Sequence, residues 1–148
     1  MWAFLNDDAV RAAIHAEPIS AIGRFDECTN GARIRYTHDA GSMLPVHRDL
    51  LARGLAALIY SGDHDMAVPH TGTEAWTSSL GLRERAAWGP WHTDEGQVAG
   101  FTVRYHEGLV FATVKGAGHM VPETHPAEAL AMLSRFLRHG HLGVAAGA

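Results

Sequence analysis

Two uninterrupted apolar runs constrain the fold of this chain more than any other feature of its sequence. They are Leu55–Tyr60 and Leu109–Val114, and neither shows the polar alternation of a strand with one solvated face. Such runs are typical of parallel strands that are covered on both faces. Helical patterns surround them, so we predict an α/β sheet, and the turn at Glu107-Gly108 predicts that part of it is antiparallel. The last helical pattern, Pro126–Arg138, has its apolar face at Ala129, Leu130, Leu133, Phe136 and Leu137.

The composition is that of a folded domain without a polyanionic or lipid partner. The chain has 148 residues, of which 47% are hydrophobic and 19% charged, and its formal net charge is −4. The 12 Lys and Arg residues form no basic run, which argues against nucleic-acid binding. No apolar segment reaches the roughly 18 residues of a membrane span, and Met1–Leu5 lacks both the basic start and the length of a signal peptide. We therefore expect no nucleic-acid and no membrane partner.

Titratable side chains follow each apolar run, at the point where each predicted strand ends. Asp63, His64 and Asp65 follow the first run, and His119 follows the second after two glycines. In open α/β sheets the carboxyl ends of the strands form the reactive edge. An acid at Asp65 and a base at His119 are two members of a nucleophile, histidine and acid triad. We expect their side chains to lie roughly 2.6 to 3.2 Å apart.

The same stretch allows other interpretations. Asp63 is either a supporting acid or, with more weight, a turn residue that accepts backbone hydrogen bonds after Gly62. His64 and His70 suggest a metal site together with the two aspartates, but no tetrahedral ligand set occurs at a recognised spacing. We therefore predict neither a metal nor another cofactor.

The two motifs resemble those of a known family. Residues 58 to 70 and 112 to 123 are similar to the aspartate and histidine motifs of the serine carboxypeptidase family, which includes carboxypeptidase-like acyltransferases. Further blocks match in order and at plausible spacing, so the resemblance covers roughly residues 2 to 138. These blocks are Trp2 to His15, Ser42 to Pro45, and Gly89 to Trp91 followed by Gly96 to Phe101.

The resemblance implies a fold and a set of site residues. The fold is the carboxyl-terminal part of an α/β-hydrolase domain, spanning residues 1–140, and residues 141–148 are expected to form a flexible tail. Asp65 corresponds to the triad acid and His119 to the triad base. Met120 lines the leaving-group side of the cleft by the same resemblance, whereas its residue type alone indicates simple packing.

The nucleophile is missing from this pattern. A serine on a strained strand-to-helix turn of the type G-x-S-x-G is required. None of the serines lies in such a motif; they are Ser20, Ser42, Ser61, Ser78, Ser79 and Ser134. The family places this serine well upstream, together with the oxyanion hole. We therefore expect the chain to be a carboxyl-terminal portion: a fragment, a truncated gene product, or the second chain of a processed pair.

The interpretation of Cys28 depends on whether the resemblance is taken into account. As a single cysteine it is most simply a buried free thiol in a cytosolic protein. It resembles, however, a family cysteine that forms a disulfide with the upstream portion. The resemblance thus implies the secretory pathway, with a vacuolar or extracellular destination.

Three functions remain open at this stage. The first is a carboxypeptidase that releases carboxyl-terminal residues from peptides through a serine acyl-enzyme, with this chain supplying the acid and base. The second is an acyltransferase that uses acyl-glucose donors. The Gly62–Met66 segment and the Gly96–Phe101 block favour the acyltransferase, whereas the Gly116–Pro122 segment favours the peptidase. The third is a fragment that only binds a partner or a ligand. The substrate is a peptide or an acyl ester in the first two.

Overall fold

The computed structural model describes residues 1–26, 37 and 39–143, and Cys28 lies outside them. The chain divides into two compact units, Met1–Gly41 and Ser42–Ala148. The second unit contains the sheet and both of the motifs that follow the apolar runs.

The described residues of the first unit form three short helices. Asp7 accepts hydrogen bonds from the amides of Ala9 and Val10, at 2.9 and 3.1 Å, and so caps the second helix. Asn6 bonds to the backbone of Phe25 through both its amide oxygen and its amide nitrogen, which ties the end of the described segment to its beginning. The helices are α1 (Trp2–Leu5), α2 (Asp8–Ala13) and α3 (Ile19–Ile22).

The second unit is organised around a four-stranded sheet. Its strands are β1 (Ala57–Gly62), β2 (Glu84–His92), β3 (Val98–Tyr105) and β4 (Leu109–Val114). In space they lie in the order β1-β4-β3-β2, with β1 parallel to β4 and the other neighbours antiparallel. The prediction of a sheet that is partly parallel and partly antiparallel is thus confirmed.

The first apolar run enters the sheet two residues later than its sequence pattern indicates. Leu55 is half exposed, and its amide donates to the carbonyl of Leu50 at 3.1 Å. Gly54, with φ of 83°, provides the left-handed residue that turns the chain out of the preceding helix. Leu55 therefore belongs to the helix end, and β1 begins at Ala57.

Helices cover both faces of the sheet. They are α4 (Leu44–Ala52), α5 (His70–Ser78), α6 (Val121–Thr124) and α7 (Pro126–His139). On one face α7 contributes Ala129, Met132 and Phe136 to a core cluster, and on the other Leu51 and Trp76 pack in a second cluster. Strand β4 is buried along its whole length because it lies between these two clusters.

The face by which α7 packs differs from the predicted one. Leu130 and Leu137 are exposed by 67% and 73%, whereas Met132 is only 2% exposed. The predicted face is right at Ala129 and Phe136 and wrong at the leucines. Apolar residues follow one another around much of this helix, so the pattern marks a broad stripe and the contacts select one side of it.

The segment after α7 returns to the sheet. Gly140, with φ of 68°, ends the helix in the left-handed conformation. Leu142, which belongs to the segment expected to form a flexible tail, is only 1% exposed and packs in the cluster beneath α7. Residues 144–148 lie outside the described part of the chain. Across the described helices, none combines the length and apolar character that crossing a membrane requires.

Candidate functional site

The parallel pairing of β1 with β4 brings the two motifs together. The last pair in register is Gly62 with Val114, so the loops that follow both strands leave the sheet side by side. Gly62 permits a very close approach, since a Cβ there would lie 2.2 Å from the carbonyl oxygen of Ala117. The amide of His64 also donates to that carbonyl, at 2.9 Å. Glycine is needed at this position for space and not for an unusual φ.

Asp65 and His119 are in direct contact at this edge. Oδ2 of Asp65 lies 2.9 Å from Nδ1 of His119, although 54 residues separate them in the chain. The distance falls in the range expected for a triad acid and base. The sequence prediction of their contact is therefore confirmed, whereas their catalytic role stays a prediction.

The second oxygen of Asp65 is held by backbone amides. Oδ1 accepts hydrogen bonds from Ala67 at 2.7 Å and from Val68 at 3.1 Å, and the residue is 8% exposed. The hydrogen bond with His119 is the largest cause that lowers the pKa of Asp65 below its ordinary value of 3.8; the Val68 amide acts in the same direction, and burial opposes both. Asp65 is therefore ionised at neutral pH.

The ionised carboxylate determines the tautomer of His119. A carboxylate only accepts hydrogen bonds, so Nδ1 of His119 carries a proton and donates a hydrogen bond to Asp65. Nε2 is then the basic nitrogen, and it makes no hydrogen bond to any described residue. The side chain of His119 is 59% exposed, so a reacting group has access to this nitrogen. The pair has the form of a base whose orientation is set by a buried acid.

A cavity of about 350 Å³ lies beside the pair. Its wall combines the end of β1, the start of α5 and the two motif loops. Two of its lining residues, Ser61 and Thr73, are hydrogen-bonded to each other through their hydroxyl groups at 3.2 Å. The lining residues are Ile59, Tyr60, Ser61, Gly62, Asp65, Val68, Thr73, Trp76, His119 and Val121. Met120 is not among them and is 56% exposed, so a role in the cleft stays a prediction.

The other polar residues of the first motif do not join the pair. Oδ1 of Asp63 accepts a hydrogen bond from the amide of Gly116 at 2.6 Å, and His64 lies 3.9 Å from the same oxygen. His70 is the first residue of α5. Within the described ranges, no group of three or more His, Cys, Asp or Glu residues is arranged to hold a metal ion.

The amides of Ala67 and Val68 are the part of the site that sequence reasoning missed. Both donate to Asp65, and they place its carboxylate in a short turn ahead of Pro69. Aspartate commonly accepts from the amides two and three residues further on, so the signal was the position of Asp65 ahead of a proline-containing turn.

Comparisons with known proteins show the family of the chain. A profile of the serine carboxypeptidase family matches residues 1–139. The chain is 54% identical to serine carboxypeptidase 1 of Hordeum vulgare over 91% of its own length, and 52% identical to serine carboxypeptidase-like 21 of Arabidopsis thaliana over 90%. It spans about a quarter of these relatives, 26% of each.

A solved structure shows the fold. The structure of Kex1(delta)p, a prohormone-processing carboxypeptidase from Saccharomyces cerevisiae, aligns with 90% of this chain at a TM-score of 0.65. The sequences are 20% identical, and the alignment covers 29% of the yeast chain. The fold is accordingly a part of the α/β-hydrolase fold, as expected. The profile match over nearly the whole sequence shows that the chain belongs to the serine carboxypeptidase family.

Proposed function

We propose that this chain supplies the acid and the base of a serine-type carboxypeptidase. The observation that carries the proposal is the contact between Asp65 and Nδ1 of His119, a histidine that lines a cavity and whose Nε2 makes no hydrogen bond to any described residue. Family membership supports the same reaction, because serine carboxypeptidases are the proteins that it resembles over most of its length. The nucleophilic serine comes from an amino-terminal portion, since no G-x-S-x-G motif occurs in these 148 residues.

In this proposal His119 accepts a proton and then donates it in each half of the reaction. Nε2 takes the proton of the serine hydroxyl as its oxygen attacks the carbonyl carbon of the last peptide bond. The same nitrogen gives that proton to the leaving amine when the C–N bond breaks, and an acyl-enzyme remains. Water then repeats the sequence, which releases the shortened peptide with a new carboxylate. Asp65 stays ionised throughout and stabilises the imidazolium form.

The test requires the complete enzyme. The chain is produced together with a serine-bearing amino-terminal portion and assayed with a blocked dipeptide. His119→Ala should lower kcat on the order of 10⁶-fold and Asp65→Asn on the order of 10⁴-fold, as for other triads. His106→Ala is the matched control, because His106 is exposed and lies at the opposite end of β4. Full turnover by His119→Ala would refute the assignment.

The substrate class is part of the same experiment. An acyl-glucose with an alcohol acceptor is assayed beside the dipeptide, because the Gly62–Met66 segment also resembles carboxypeptidase-like acyltransferases. Both reactions share the acyl-enzyme and differ in what accepts the acyl group. Faster turnover of the acyl-glucose would replace the peptidase with an acyltransferase and leave the roles of Asp65 and His119 unchanged. Ligand binding without turnover of either substrate would indicate a non-catalytic fragment.

We extend the proposal to the compartment and to Cys28. In the family resemblance this cysteine bonds to the amino-terminal portion, and disulfides persist in the secretory pathway, the vacuole and outside the cell. Mass mapping of protein from the native source should find Cys28 linked to a peptide that is not in this sequence. A thiol that is always free would leave the partner portion without a covalent link to this chain.

A further inference from the structure

The first aspartate of the G-D-x-D motif connects the two loops of the site. Oδ1 of Asp63 accepts a hydrogen bond from the amide of Gly116 at 2.6 Å, across 53 residues of sequence. The amide of Asp63 donates to the carbonyl of Val114 at 3.1 Å. Asp63 therefore forms two hydrogen bonds to the beginning of the histidine loop, one through its backbone and one through its side chain.

The loop that it grips carries the catalytic base of the proposed reaction and is rich in glycine. Gly116 has a φ of 77°, and Gly118 has open space where a Cβ would stand. Glycines lower the cost of alternative backbone conformations, so such a loop needs anchors to hold one geometry. Besides Asp63, the first motif holds the backbone of this loop through the amide of His64, which donates to the carbonyl of Ala117 at 2.9 Å.

The imidazole has little else to hold it. His119 is 59% exposed, and its single hydrogen bond to a described residue is the one to Asp65. The position of Nε2 therefore depends on where the loop places the histidine backbone. A displacement of about 1 Å at a reacting group costs on the order of 100-fold in rate.

We propose that Asp63 is a positioning residue, which holds His119 in register with Asp65 through the amide of Gly116. The inference rests on the proposed function and adds a residue to it. The role requires a hydrogen-bond acceptor and not a negative charge, because a neutral carbonyl oxygen also accepts a hydrogen bond from a backbone amide. Asparagine at position 63 should therefore preserve the positioning of His119, whereas alanine should not.

The experiment compares Asp63→Ala with Asp63→Asn in the complete, serine-bearing enzyme. Asp63→Ala should lower kcat by a factor of about 10 to 100 with little change in KM, since the base is misplaced while the binding surface remains. Asp63→Asn should restore kcat close to wild type. Asp49→Ala is the matched control, because Asp49 pairs with Arg53 on the surface of α4. The NMR chemical shift of the Asp65 carboxyl carbon, followed as a function of pH, reports the contact with His119. The pKa of Asp65 should rise toward 3.8 in Asp63→Ala and stay lowered in Asp63→Asn.

The outcomes separate this inference from the proposed function. If His119→Ala is inactive while Asp63→Ala keeps both wild-type kcat and the lowered pKa of Asp65, the positioning role is overturned and the acid-base pair stands. If His119→Ala is active, the proposed function itself fails. Should Asp63→Ala not fold, Asp63→Asn decides: a folded variant with a large loss of kcat would overturn a role that needs only a neutral acceptor.

Discussion

Two aspartates that stand two residues apart have different partners in this structure. Asp65 is buried, and its two oxygens bond to an imidazole and to two amides. Asp63 is less buried and bonds to one amide of the histidine loop. The difference in surroundings favours the ionised form of Asp65 and leaves Asp63 as a link between loops.

The lowered pKa of Asp65 predicts how stability depends on pH. A carboxyl whose pKa is lower when folded contributes stability that is present above its unfolded value of 3.8 and is lost as pH falls through 3.8 and then through the folded pKa. The free energy of unfolding, measured by urea denaturation in dilute solution, should therefore fall more steeply below pH 4 in the wild type than in Asp65→Asn. Identical slopes for the two proteins would show that Asp65 makes no stabilising contact in the ionised form.

At the scale of the element, helix α7 shows how contact selects among apolar residues. Its sequence offers a broad apolar stripe, and the sheet accepts Ala129, Met132 and Phe136 from it. Leu130, Leu133 and Leu137 remain at the exposed side, with 67%, 48% and 73% of their surface accessible. The helix is therefore anchored by a set of residues that its periodicity alone ranks no higher than its leucines.

Alanine substitutions on α7 distinguish the two sides. Met132→Ala should lower the free energy of unfolding by about 2 to 5 kcal/mol, because it removes a side chain that is 2% exposed and leaves a cavity. Leu137→Ala is the matched control and should change it by no more than about 0.5 kcal/mol, since that leucine is 73% exposed. Thermal or chemical denaturation measures both. A larger loss for Leu137→Ala would place the predicted leucine face against the core.

At the scale of the whole molecule, β1 is an edge strand of the described sheet. The amides of Ala57 and Asp63 donate toward β4, to Gly108 and Val114. Alternate residues of a strand point their amides in opposite directions, so those of Leu58 and Tyr60 face the open side. An apolar edge of this kind is a template for pairing with another chain. We expect the serine-bearing portion of the proposed enzyme to pair with this edge.

The open edge should make the isolated chain self-associate. The isolated chain should also be inactive, because no G-x-S-x-G serine occurs in its sequence. Tyr60→Pro should reduce self-association in sedimentation experiments, because proline removes an amide from the open edge only. Ile59→Pro is the contrasting variant: it removes an amide directed toward β4 and should unfold the sheet. Monomeric wild-type chain at high concentration would contradict the edge argument. Peptide turnover by the chain alone that survives His119→Ala would contradict the proposed division of the triad.

Local pattern was sufficient for much of the fold and for the central contact of the site. The apolar run Leu109–Val114 is β4 without change of bounds, because each of its residues is buried on one face of the sheet or the other. Gly140 ends α7 as its sequence position indicates, since a left-handed residue costs glycine little. Asp65 and His119 were predictable as a pair because residues that follow parallel neighbouring strands emerge at the same edge.

Other features depended on which surfaces meet, and local sequence carries no record of that. The bond from Gly116 to Asp63 joins residues 53 apart, and it exists because the strand register places Gly62 beside Val114. The space that only a glycine leaves at position 62 is likewise defined by Ala117, far away in the chain. The sequence by itself determined strand β4, the end of α7 and the pairing of Asp65 with His119. Tertiary structure decided which side of α7 is buried and how the two loops are held together, because both depend on contacts between segments that are distant in sequence.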